Sequence, residues 1–272
     1  MSLTRTVLRF AAPLPKLERC QRFLFLGPHP DDIEIGAGAT AAKFAACGKN
    51  ICFLICTDGR FGTDHAPANL SGDRLAKQRR KEAEASASLL GVRDLRFLDF
   101  SDGGFYDPHA MQNAIAAVVS DFRPDVIFAP DPAVASECHA DHLNVGEAAR
   151  RIAVFAPNPG IMGALGLSPV PVQALAFYMT AKPNQFIGTR GYLGLQLESI
   201  YRCHKSQFPK RDAVETYLKL RAADFGLRSL KGCAEGFRVL GQTQMHCLPE
   251  AGLELNIRSN GLIIKNFKES AV

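Results

Sequence analysis

The stretch RFLFLGPHPDDIEIGAG, residues 22–38, decides how the rest of the chain is read. Its opening, Arg22–Gly27, is a short run of large apolar side chains stopped by glycine and proline, as expected of a parallel strand covered on both faces. His29, Asp31 and Asp32 follow at once, with Glu34 just beyond. Placing these ionisable groups at the carboxyl end of a buried strand is costly unless they do chemistry. Ligands of open α/β sheets bind at that end, in the crevice where strand order reverses.

Outward from this motif the chain alternates apolar runs with helical patterns. Asn50–Thr57, Leu95–Phe100, Asp125–Ala129 and Gln173–Tyr178 read as further strands. Helices are predicted near Ala37–Cys47 and over Ser71–Leu90, closed by Gly48 and Gly91, and then at Pro108–Phe122 and Asn144–Phe155. Strands separated by helices predict βαβ units, hence an α/β, Rossmann-like three-layer sandwich with a mainly parallel sheet ordered 3-2-1-4-5. Pro157–Pro171 is rich in glycine and proline and reads as an irregular loop. Beyond Tyr178 the pattern is helical, over Leu193–Cys203 and Ala213–Leu230. Residues 1–21 read as an N-terminal extension and 22–272 as a single domain.

With 47% hydrophobic and 22% charged residues, the 272-residue composition is that of an ordinary globular protein. The net charge of +5 is scattered, and the group at Lys77–Lys81 lies on a helix beside Glu82 and Glu84. Without a basic stripe interleaved with aromatics, nucleic acid is not an expected partner. No apolar run approaches the about 20 residues of a membrane span. The eight cysteines form no C-x-x-C pair, and charges and prolines interrupt the N-terminus, so a reducing, cytoplasmic setting is expected. A homo-oligomer is compatible with all of this.

The fourth strand ends in DPAVASECHADH, residues 131–142, a second cluster of imidazoles and carboxylates. If strands one and four are neighbours, the two clusters face each other. An imidazole and a carboxylate from the first loop and an imidazole from the second make three ligands, leaving the open position that a catalytic zinc requires. Iron(II) or cobalt would also suit such a set. His65 and His109 sit in polar loops without such partners and His246 stands in the C-terminal tail, so these three read as incidental.

These residues resemble the PIG-L/LmbE-like family of metal-dependent de-N-acetylases, whose opening motif His29-Pro30-Asp31-Asp32-Ile33-Glu34 matches. Arg79-x-x-Glu82, Asp99-x-x-Asp102-Gly103, His139-Ala140-Asp141-His142, His204-x-Ser206-Gln207 and Ala234-Glu235-x-Phe237 match further family signatures in order. The resemblance implies removal of an acetyl group, by amide hydrolysis, from an N-acetylglucosamine-type sugar or sugar conjugate. A thiol-conjugate amidase using the same site is the alternative. The resemblance further implies His29, Asp32 and His142 as ligands of zinc, Asp31 as general base, and His139, oriented by Asp141, as second acid/base group. Arg79, Arg60 and Asp102 are candidate substrate contacts, although Arg79 could instead pair with Glu82 on the helix surface. Arg60 stands where many relatives carry an acidic residue.

A reading of another class comes from Gly36-Ala37-Gly38-Ala39-Thr40-Ala41, which fits the G-x-G-x-x-A of dinucleotide-binding oxidoreductases, with Asp58 about twenty residues on. That fingerprint should start directly after the strand, and here Pro28–Ile35 intervenes. The small residues are better explained by close packing of a helix on the sheet.

Overall fold

The computed structural model describes Val7 and residues 10–246. Parts of the expected extension, the end of the expected 22–272 domain and Cys247 lie outside the described residues. The strands are β1 Arg22–Gly27, β2 Asn50–Thr57, β3 Asp94–Phe100, β4 Val126–Pro130, β5 Ala174–Tyr178, β6 Gln185–Gly188 and β7 Ala234–Gly241. The helices are α1 Asp32–Ala46, α2 Gly72–Leu89, α3 Pro108–Phe122, α4 Ala140–Phe155, α5 Pro159–Ala164, α6 Leu193–Glu198 and α7 Ala213–Ser229.

The strands form one mostly parallel sheet in the order β3-β2-β1-β4-β5-β7-β6. The expected run 3-2-1-4-5 is therefore its parallel part, with β1 paired to both β2 and β4. Two strands not expected from the sequence extend it: β7 pairs antiparallel to β5, and β6 pairs antiparallel to β7. Glu235, Gly236 and Arg238 break the apolar alternation of β7, and β6 has only four residues, so neither carries a strand's usual pattern. The 157–171 loop likewise contains a helix, α5, started by Pro159 and by Asn158, whose side chain accepts from the N–H groups of Gly160 and Ile161.

Strand pleating divides the core. Phe23 and Phe25 of β1 pack to one side with Phe44 of α1, while Leu24 and Leu26 pack to the other with Met111, Ile115 and Val145 of α3 and α4. Helices thus cover both faces, giving three layers. The leading segment joins the first of these cores through the fully buried Leu17. Gly36 lies against Tyr178 so closely that a Cβ there would overlap the ring. The tyrosine hydroxyl in turn donates to the Leu26 carbonyl (2.7 Å). The small residues of α1 therefore serve helix–sheet contact, as the packing reading required. Among the described residues no helix is long and apolar enough to cross a membrane.

Candidate active site

β1 and β4 end side by side, and the loops leaving them meet above the sheet. The first loop is held by Thr57, whose N–H (2.9 Å) and hydroxyl (2.7 Å) both donate to the Pro28 carbonyl. It then enters α1 abruptly. Asp31, at the N-cap, has φ 144° and ψ −23°, a conformation L-residues rarely adopt. Strain of this kind costs on the order of 1–3 kcal/mol and concentrates at functional sites. The helix begins at Asp32, five residues before its expected start, because the polar motif itself forms the first turn.

The carboxylate of Asp32 is the centre of the cluster. Its Oδ2 lies 3.0 Å from His29 Nδ1 and 3.3 Å from His142 Nε2. The outer nitrogen of each imidazole meets another carboxylate: His29 Nε2 is 2.9 Å from Asp141 Oδ2, and His142 Nδ1 is 3.0 Å from Glu137 Oε2. Imidazoles oriented in this way, with one nitrogen inward and the other held by a carboxylate, are what metal sites use to fix tautomer and ring direction. One ligand atom from each of His29, Asp32 and His142 falls within 4.8 Å of the others. Burial resists charge on both imidazoles, but Asp32, with Asp141 beside His29 and Glu137 beside His142, outweighs it. His29 is raised to about 10 and His142 to about 9. Burial likewise resists ionisation of Asp32, and the two imidazoles hold it well below the usual carboxylate range. The carboxylates around the two imidazoles thus favour positive charge between them. Donor set and charge both fit a divalent cation.

Asp31 turns away from this cluster towards Arg79, whose Nη2 donates to Asp31 Oδ2 (3.0 Å) and to the Pro30 carbonyl (3.2 Å). Arg79 Nη1 donates to the Gly59 carbonyl, 3.1 Å away. Gly59 and Gly62 leave room for the guanidinium, since a Cβ on Gly59 would come within 2.6 Å of it and one on Gly62 closer still. Burial raises the Asp31 carboxyl; Arg79 opposes the rise and Asp32 adds to it. Arg79 is not a helix-surface residue pairing with Glu82. It is 4% exposed, and Glu82 instead accepts from the Ser206 N–H (3.0 Å) and hydroxyl (2.7 Å).

His139 stands at the N-cap of α4, half exposed at the mouth of the site. Its Nδ1 accepts from the Asp141 N–H (3.3 Å), so the neutral ring carries its proton on Nε2. Burial first, then the neighbouring His29 and His142, push its pKa down. The Asp141 carboxylate itself is 3.7 Å from His139 Nδ1 and bonded elsewhere: to His29, and to the N–H groups of Gly103 (2.7 Å) and Gly104 (2.8 Å). Asp102, also buried, accepts from the Phe61 N–H through both oxygens (3.2 and 3.1 Å). Arg60 lies further out, paired with Asp58 and, at 3.3 Å, with Asp73.

One orienting residue carries no sequence signal. Glu137 lies in an irregular loop five positions before the imidazole it orients, a spacing with no helical or strand rule behind it. The bracing behind the site comes from the second half of the chain: His204 Nε2 lies 3.2 Å from Glu34 Oε1, Gln207 donates to the Gly62 carbonyl (2.9 Å), and Glu235 accepts from the N–H groups of Ala39 (3.3 Å) and Thr40 (2.7 Å).

Comparison with known proteins identifies the family. The family model described as GlcNAc-PI de-N-acetylase (PIG-L) matches residues 24–153. The diacetylchitobiose deacetylase of Thermococcus kodakarensis is 34% identical, covering 85% of this chain and 87% of that protein. The 1D-myo-inositol 2-acetamido-2-deoxy-alpha-D-glucopyranoside deacetylase of Kineococcus radiotolerans is also 34% identical, but the alignment covers 64% of this chain and only 55% of that protein. Among solved structures, the N,N'-diacetylchitobiose deacetylase from Pyrococcus horikoshii in complex with its inhibitor MPG superposes with a TM-score of 0.82. It is 30% identical, covering 93% of this chain and 98% of that one. The chain belongs to the PIG-L family of de-N-acetylases, and it is a deacetylase that hydrolyses an amide.

Proposed function

We propose that the protein is a zinc-dependent de-N-acetylase of N-acetylglucosamine-type sugars, with small oligosaccharides of the diacetylchitobiose kind as substrates. One observation carries the metal assignment: His29 and His142 each present one nitrogen to the shared Asp32 oxygen and have a carboxylate on the other. The substrate class rests on similarity that covers 87% and 98% of the two chitobiose deacetylases but only 55% of the inositol-sugar enzyme.

His29, Asp32 and His142 would hold the ion. When bound, it supplies Lewis acidity, bringing the pKa of water from 15.7 towards about 7 and polarising the amide carbonyl. Asp31, beside a ligand yet bonded to Arg79, accepts the proton of the attacking water; burial, by raising its carboxyl, makes it the stronger base. Arg79 keeps that carboxylate in place and offsets its burial. His139 offers its Nε2–H at the mouth, where the oxyanion of the tetrahedral intermediate develops. Collapse of that intermediate needs a proton on the departing amine nitrogen, and Asp31, having just gained one, returns it. Acetate and the free amino sugar leave. Arg79 and Asp102 border the reacting centre, whereas Arg60, tied to Asp58 and Asp73, contacts a substrate only at its periphery.

We also propose a cytoplasmic setting, supported by the thiols of Cys20, Cys52 and Cys56, which are buried as small apolar groups. The function is tested by quantifying metal in the purified protein and then measuring acetate released from N-acetylglucosamine, diacetylchitobiose and N-acetylglucosaminyl-inositol. Stoichiometric zinc, and acetate fastest from diacetylchitobiose, are expected. Release only from a thiol conjugate would overturn the substrate class, and undiminished hydrolysis after complete chelation would overturn the metal.

A further inference from the structure

Two large aromatic side chains stand in solvent beside the candidate site. Phe61 is 54% and Phe105 75% exposed, and their rings meet edge to face with centroids 5.7 Å apart. Paired exposed rings beside a polar site offer an apolar surface to a ligand. Both rings sit on backbone that the site itself fixes. The N–H of Phe61 is held by the buried Asp102, and its loop is tied to Arg79 through Gly59. Phe105 follows Gly103 and Gly104, whose N–H groups are fixed by Asp141, which also holds His29. Gly103 has φ 80° and lies beneath the pair: a Cβ there would be 3.0 Å from Phe105 and 3.6 Å from Phe61.

The pair therefore joins a loop tied to Arg79, the partner of Asp31, to a loop tied to Asp141, the partner of His29. We propose that Phe61 and Phe105 form a stacking platform for the pyranose ring that carries the scissile acetamide. The inference rests on the proposed function for the sugar itself. A β-configured glucosamine ring has one face of axial C–H groups, which packs on an aromatic ring without needing hydrogen bonds, while its equatorial polar groups remain free to reach the cleft. The aromatics contribute area and orientation; Asp102 and Asp141 fix where they stand.

The sequence contains no tryptophan, so Phe105→Trp places a single emitter in the platform. In the zinc-loaded variant, emission should shift and saturate as diacetylchitobiose is added, and stay constant with an acyclic polyol such as sorbitol. In parallel, Phe61→Ala and Phe105→Ala should each raise KM for diacetylchitobiose by about tenfold or more while leaving kcat within about threefold, with Phe105→Trp restoring KM. Unchanged KM in both alanine variants, together with flat indole emission from the Phe105→Trp variant, would overturn the proposal. So would a change in oligomeric state with KM unaltered, because the pair would then be an interface between copies. If no N-acetyl sugar is hydrolysed by the wild-type protein, the proposed function fails, while the emission titration still decides whether a pyranose docks here.

Discussion

Replacement of Asp141 by asparagine separates two roles for this residue. The carboxylate accepts from His29 Nε2, Gly103 and Gly104 at 2.9, 2.7 and 2.8 Å, with no exposed surface. Burial opposes its charge, yet His29 and the Gly103 N–H win and hold its pKa at about 2. From an ordinary 3.8, that preference for the ionised form is worth roughly 2 kcal/mol; it is present above pH about 4 and lost as pH falls through about 2. An amide cannot replace it. If its oxygen keeps His29 and Gly103, its NH2 faces the Gly104 N–H, donor against donor. Folding stability at pH 7 should fall by about 1.5–3 kcal/mol. His29, no longer held by an anion, becomes a weaker ligand, so the zinc dissociation constant should rise about 10- to 100-fold. Competition with a chromophoric chelator measures that constant, and urea unfolding of the apo protein measures the stability. His139→Ala is the control, with a zinc constant within about twofold of wild type. Should Asp141→Asn bind zinc as wild type does and lose only kcat, Asp141 acts on His139, and the role assigned to it beside His29 is wrong.

Three further outcomes are expected. Asp31→Asn should retain stoichiometric zinc by metal analysis while acetate release falls about 10²- to 10⁴-fold; activity near wild type would remove Asp31 as the base. Arg79→Met removes the cation beside a buried carboxylate, so unfolding should need about 3–5 kcal/mol less. The acid limb of its kcat/KM–pH profile should also move to higher pH, because Arg79 opposes the rise in the Asp31 pKa; an unmoved limb would refute that coupling. Glu235 is raised to about 7 by burial despite the N–H groups of Thr40 and Ala39. Its folded pKa exceeds the ordinary 4.5, so its contribution is full below pH about 4.5 and is lost as pH rises through about 7. The stability difference between wild type and Glu235→Gln should therefore change by up to about 3 kcal/mol across that window in urea titrations, and a flat difference would contradict the assignment.

The parallel half of the fold was legible because its strands are short apolar runs closed by glycine and proline, a local signal. The ligand clusters were legible for a related reason. His29 and Asp32 lie in one short motif, and His142 in the first turn of the helix that follows an equally clear strand. β7 was not legible, since Glu235 faces α1 and Gly236 packs on Phe225, so its residues answer to distant partners rather than to alternation. Arg79 was half legible. Its position on α2 could be read, but its burial depends on Gly59, Gly62 and an acid 48 positions earlier. The role of Asp141 had the same limit: the resemblance implied His139 as its partner, whereas the carboxylate reaches across 112 positions to His29.

Those separations bear on when the protein becomes competent during synthesis. His29, Asp32 and His142 all precede residue 143, yet Glu34 waits for His204 across 170 positions and Thr40 for Glu235 across 195. Contacts this distant in sequence form late, after loop-closure entropy has been overcome. A growing chain therefore exposes every candidate ligand well before the C-terminal bracing of α1 has been made, and thiols and imidazoles on an unfinished chain can capture stray ions in wrong arrangements. Docking of β7 completes the bracing of α1, so metal added after translation and metal present throughout it need not give the same yield of active protein.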